Sequence, residues 1–247
     1  MTEKSIKKGT VVDSLVDVIC AEIFRSERKP GQKLPPIRTL AGDYGVTVPT
    51  VQRAVARLKE MNLVAVRQGS GVTVQDPWTH AGLSAIPRWL DALLDEPAQA
   101  RRVLEDFLEL RREMAISLLV GLRHREVFDE VEAAIDEFEE IASGTPDDLK
   151  SIAAADIAVG RAFLEVRPQI AFATVFNAFE EILAALPELR EAIYVDPQMN
   201  VAGYRAALEA LKSSADEGEL RGGLRALLVS VDEESARRFE AILLEDR

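Results

Sequence analysis

Between Arg38 and Gly71 the sequence gathers residue types that read a nucleic-acid duplex: Arg38, Thr47, Thr50, Gln52, Arg53, Arg57, Arg67, Gly69, Ser70 and Gly71. In a major groove an Arg pairs bidentately with guanine and a Gln with adenine, each pair contributing roughly 1–3 kcal/mol of discrimination. Hydroxyls, backbone N–H groups and further cationic side chains bind phosphates, which position a protein without reading sequence. Arg38, Arg53, Lys59, Arg67 and the terminal lysines Lys4, Lys7 and Lys8 suit that second task. Taken alone, Arg57 or Lys59 reads first as a solvated helix charge. Gly69 and Gly71 suit a tight turn whether or not DNA is present, and equally a close approach of backbone to a minor groove; both roles stay open.

Other chemistry has little to stand on. No Gly-rich phosphate loop, HExxH or Glu-x-x-His pair occurs, and neither His80 nor His124 has triad partners nearby. No catalytic residue and no cofactor is assigned, and the chain is not expected to be an enzyme. Cys20, the one cysteine, falls in an apolar pattern and reads as a small buried hydrophobe.

Periodicity supplies the elements that carry the candidate residues. Val11, Val12, Leu15, Val16, Ile19, Cys20, Ile23 and Phe24 recur at three and four, predicting a first helix over 11–24. The run from Lys29 to Pro36 breaks it. A second helix starts near Pro36, turns Ile37, Leu40 and Ala41 inward and closes at Gly45. Thr47 is placed to cap a third helix with Val51, Ala54, Val55 and Leu58 as its apolar face. From Leu63 to Val74 the pattern becomes two β-rich segments around Gly69-Ser70-Gly71, a predicted hairpin. Three helices and a hairpin are the order of a winged helix-turn-helix.

The expected fold class is mostly α. Residues 1–76 form the DNA-binding domain, 77–96 a linker docked through Trp78 and Leu83, and 97–247 an all-helical bundle. Its helices are expected at about 97–123, 125–142, 147–166, 168–186, 197–213 and 216–245. The net charge of −12 would argue against a polyanionic partner, but it is unevenly spread. Residues 1–76 carry 12 Lys and Arg against 8 Asp and Glu, and the remainder carries 18 against 34. A weakly basic head precedes an acidic body, whose stretch Glu126 to Glu140 reads as a solvated helix face. No apolar run approaches the roughly 20 residues of a membrane span, so the expectation is a cytoplasmic protein without a membrane partner.

Leu34-Pro35-Pro36-Ile37-Arg38-Thr39-Leu40-Ala41, then Tyr44-Gly45-Val46-Thr47, Thr50-Val51 and Gly69-Ser70-Gly71 together resemble the N-terminal signature of GntR-family bacterial regulators. The agreement spans about residues 10–76. The helical remainder resembles, through its length, its helix number and Leu108-Glu109-Leu110-Arg111, the FCD-type effector domain of the FadR subfamily. The resemblance implies a ligand-responsive regulator, expected to repress, in which Arg38 contacts operator DNA. Family members commonly carry arginines where this chain has Val48 and Gln52, and that departure leaves the operator sequence open.

Many FCD-type domains hold a divalent metal through three histidines and an Asp. Here Asp156 is present, but Arg161 and Tyr204 stand at matching positions, and two histidines cannot build a three-histidine site. The resemblance therefore implies a metal-free pocket like that of the fatty-acyl-responsive branch, whose linker is similar to Trp78-Thr79-His80-Ala81-Gly82-Leu83. Arg111, Arg112, Arg161, Tyr204 and Arg205 are the candidate polar groups for an acyl-CoA or other carboxylate, each also readable as a surface ion-pair partner. One head touches few base pairs, so a homodimer on two half-sites about 34 Å apart, or a multiple, is expected. A constitutive regulator without effector, or an enzyme with an accessory DNA-binding head, are the competing readings.

Overall fold

The computed structural model describes residues 10–67, 69–125, 128–213 and 216–245, so Lys4, Lys7 and Lys8 lie outside the described residues. The chain is mostly helical and divides into two compact units, Met1–Asp95 and Glu96–Arg247.

In the first unit α1 (Val11–Phe24) opens with a reciprocal capping box between Thr10 and Asp13 and buries Leu15, Val16, Ile19, Cys20 and Ile23. It packs against α3 (Val48–Glu60), reached through α2 (Ile37–Asp43). Strands β1 (Val64–Arg67) and β2 (Gly71–Val74) pair antiparallel, with Val64 opposite Val74 and Arg67 opposite Gly71. This is a winged helix-turn-helix with a two-stranded wing. The Pro-Gly stretch after α1 does more than end a helix. Leu34 N–H donates to Val72 O and Val74 N–H to Gln32 O, both at 2.9 Å, giving β2 a second edge. Pro30, Pro35 and Pro36, which lack an N–H, flank this edge and so leave its donors intact.

Residues 77–95, expected as part of a linker, form α4 (Pro77–His80), a 3-10 turn (Leu83–Ala85) and α5 (Ile86–Ala92) inside the same unit. Trp89 stacks on Phe24 at 4.8 Å, and Trp78 meets Trp89 edge-on at 5.0 Å. Arg25 Nε donates to Ala92 O at 2.6 Å and Arg88 Nε to Asp17 at 3.1 Å, fastening the segment to α1.

The second unit contains α6 (Pro97–Val120), α7 (Asp129–Gly144), α8 (Leu149–Val166), α9 (Ile170–Ala185), α10 (Pro187–Ile193), α11 (Pro197–Lys212) and α12 (Glu217–Glu245). Here α6 pairs with α12 and α7 with α8, around a core that includes Ile116, Val131, Phe138, Ile152, Phe163 and Leu208. No helix is expected between 186 and 197, whereas α10 fills most of that span and buries Leu189, Arg190 and Ala192. Arg190 Nη1 donates to Leu183 O and, at 3.0 Å, to Ala184 O, satisfying carbonyls at the end of α9 that no helical N–H reaches. Among the described residues no single helix is long and apolar enough to cross a membrane.

Candidate nucleic-acid interface

The angle between α2 and α3 rests on a backbone device. Gly45 adopts φ +64°, its N–H donates to Gly42 O at 3.3 Å, and Val46 N–H donates to Ala41 O at 2.9 Å. These two bonds form a Schellman motif, which closes α2 and turns the chain at once into α3. Tyr44 anchors the same corner to α1. Its hydroxyl donates to Glu22 Oε2 at 2.9 Å and accepts from Arg28 Nη2 at 2.9 Å. Burial, and then the Glu22 carboxylate, push the Tyr44 hydroxyl above its ordinary pKa, so it stays a neutral donor.

Thr47 caps α3, accepting from Thr50 N–H at 3.3 Å, and its hydroxyl also bonds that of Thr50 at 2.8 Å. With Val51, Ala54, Val55 and Leu58 buried, the opposite side of α3 presents Thr47, Val48, Gln52, Arg53 and Arg57 to solvent. Arg38 is exposed in the first turn of α2. At the wing Arg67, Ser70 and the two glycines are exposed. Gly69 and Gly71 have φ +78° and +87° with open space where a Cβ would be, so it is the backbone conformation that asks for glycine. Arg57 differs from its neighbours: its Nη1 forms an ion pair with Asp13 of α1 and braces α3.

Residues 11–74 match the model of the bacterial regulatory proteins of the gntR family. That match covers the winged helix-turn-helix. Over 90 residues the chain is 38% identical to Mce2R, an HTH-type transcriptional regulator of Mycobacterium tuberculosis, a match covering 36% of this chain and 38% of that one. Over 112 residues it is 27% identical to YhcF, an uncharacterised HTH-type transcriptional regulator of Bacillus subtilis, covering 44% and 84%. The chain thus spans less than two fifths of Mce2R in that match. The structure of Lar, which controls expression of the Listeria monocytogenes agr system, superposes with a TM-score of 0.55 at 13% identity over 94% of this chain and 99% of that one, a likeness of fold. Mce2R and YhcF are transcriptional regulators by name, not enzymes.

The second unit holds a cavity of about 160 Å³ between α6, α8, α9, α11 and α12. Its walls are largely apolar, with Phe163, Phe172, Phe176 and Phe179 prominent, and Arg111, Asp156, Tyr204 and Asp232 supply most of its polarity. Arg111 Nη2 and Arg112 Nη1 donate to the two oxygens of the buried Asp232 at 2.6 and 2.7 Å. The Arg111 guanidinium lies 4.9 Å from the Phe179 ring centre, and its buried Nε has no hydrogen-bond partner. Asp156 accepts from Tyr194 Oη at 2.7 Å. Burial pushes the Asp156 carboxyl above its ordinary range, against the pull of Tyr194, Tyr204 and the Arg111 charge.

Of the five polar groups expected around an effector, Arg111 and Tyr204 line the cavity, while Arg112 reaches it only through Asp232. The other two are elsewhere. Arg161 is exposed and pairs with Glu180, and Arg205 is exposed and pairs with Asp136 and Glu139. Arg161 stands in an outward-facing column of α8 beside Glu165, the position of a surface ion-pair partner. Asp232 was not anticipated, since nothing in its local pattern marks a buried carboxylate. Asp156, set between Ala155 and Ile157 in an apolar stretch, did carry a signal. Among the described residues no group of three or more His, Cys, Asp or Glu could hold a metal ion.

Proposed function

We propose that this chain is a DNA-binding transcription regulator that acts in the cytoplasm as a homodimer on a near-palindromic operator, and that it represses. The observation that carries the reading is the solvent-facing row on α3, mounted by the Gly45 turn in a gntR-family head with Arg38 beside it. In this reading Thr47, Thr50, Gln52 and Arg53 meet base edges, and Arg38 and Lys59 hold phosphates. Arg67, Gly69, Ser70 and Gly71 bring the wing against the backbone of the duplex. Arg57 shares its charge with Asp13 through Nη1 and has its remaining N–H groups for a phosphate. Two-fold pairing follows from half-site geometry, since a single recognition helix covers too few base pairs to select a site.

The finer reading adds a metal-free effector site in the second unit. The largely apolar walls of this pocket offer surface that a bound ligand would cover. A cavity of that size suits a compact carboxylate facing Arg111 better than an acyl-CoA, whose nucleotide would remain outside. One observation favours a regulator without effector: the Arg111 guanidinium at the cavity is already paired with Asp232, which it shares with Arg112. The experiment that separates these readings selects duplexes from a random pool with the full chain, with and without small carboxylates and acyl-CoAs. Recovery of an inverted-repeat motif supports the dimeric regulator, and loss of binding with a carboxylate supports the effector site. Recovery of no motif rejects the proposal, and indifference to every ligand leaves the constitutive regulator.

A further inference from the structure

We propose that Val48 reads the C5-methyl of a thymine in each half-site, making it a specificity-determining residue beside Gln52. The inference rests on the DNA-binding reading above. Val48 is the first residue of α3, directly after the Thr47 cap, and is 36% exposed although it is a large aliphatic side chain. In helix-turn-helix docking the N-terminal residues of the recognition helix meet base edges. Here that turn carries no charge. The hydroxyls of Thr47 and Thr50 are bonded to each other at 2.8 Å, and Thr47 also accepts from Thr50 N–H, which leaves the pair one hydroxyl proton for a base edge. Pro49 adds no backbone donor.

Beside that hydroxyl pair Val48 presents aliphatic surface to the groove, and the one base feature that an aliphatic group recognises there is the thymine methyl. As a β-branched residue Val48 holds its methyls in a narrow range of orientations, which suits it to a fixed contact. Gln52 lies four residues on, one turn along the same face and about 6 Å further along the helix axis. A thymine under Val48 and an adenine under Gln52 then fall within two base pairs of each other.

The test uses the full chain and the duplex it selects from a random pool. Thymines are replaced one at a time by deoxyuridine, which removes the methyl group and leaves the protein untouched. At one thymine in each half-site, within two base pairs of the adenine whose preference Gln52→Ala abolishes, wild-type affinity falls about three- to four-fold, as expected for about 0.8 kcal/mol per methyl group. Val48→Ala binds thymine and deoxyuridine duplexes alike, and Val48→Arg moves the preference at that position towards guanine. The inference is overturned if no single deoxyuridine near that adenine weakens the wild type, or if Val48→Ala retains the methyl dependence. Selection of no preferred duplex at all is a separate result, which overturns the DNA-binding reading and this inference with it.

Discussion

Gln52 and Arg38 are both exposed, but they stand on different helices and should fail differently. Gln52 is in the first turns of α3, where on the proposed reading side chains reach base edges, so Gln52→Ala should lose roughly 1–3 kcal/mol of adenine discrimination at one position per half-site. Arg38 lies in the first turn of α2, which on the proposed reading crosses the phosphate backbone, so Arg38→Ala should weaken all sequences evenly and flatten the salt dependence by about one unit per head. Operator selection with each variant checks this, and a changed motif from Arg38→Ala alone would reverse the two roles. Asp156 gives a prediction of another kind. Its carboxyl is held above the ordinary range by burial, so the fold prefers it protonated. That contribution is complete below the unfolded value of about 3.9 and is lost as pH rises through the folded value. Asp156→Asn keeps an oxygen for Tyr194 and has no charge to desolvate. Its melting temperature should therefore exceed that of the wild type at neutral pH, with the advantage shrinking on acidification. Equal melting curves at every pH would mean that the carboxyl is not destabilised by burial.

At the scale of elements the α2–α3 corner is the part on which recognition geometry depends. Gly45→Ala forces a Cβ into the left-handed region, where no neighbouring atom crowds it, so the penalty is conformational: roughly 1–2 kcal/mol. Urea unfolding should show that loss, with Gly45→Asn recovering part of it; an unchanged midpoint for Gly45→Ala would mean the corner tolerates another turn. The elements most readable from sequence were those determined locally. The 3.6-residue spacing of α1, the Thr47 cap and the Gly-Ser-Gly wing each need only neighbouring residues, and each is where it was expected. Once the apolar face of α3 is assigned, its complement is the exposed row, which made most of the candidate interface legible. What escaped depends on distant partners. The 31–34 edge exists only against β2, α5 is ordered by Phe24 and α1, and Asp13 captures Arg57 across 44 residues. The Arg111–Asp232 pair spans 121 positions, which no local pattern encodes. The seven-residue α10, bounded by prolines, is too short for periodicity to register.

For the whole molecule, charge is the quantity that sets the account at risk. The chain carries −12 overall, and a polyanion should repel it unless the excess of Lys and Arg in residues 1–76 governs the encounter. Counterion release from phosphates gives that claim a measurable form, because each contact contributes about −0.9 to the slope of log affinity against log salt. Arg38, Lys59 and Arg67 are all exposed, and on the proposed reading they supply three contacts per head and six in a dimer. The decisive measurement is the affinity of the full chain for its selected duplex across a salt series. The account predicts a straight fall with a slope of about −5. A flat line, or affinity that rises with salt, would contradict it.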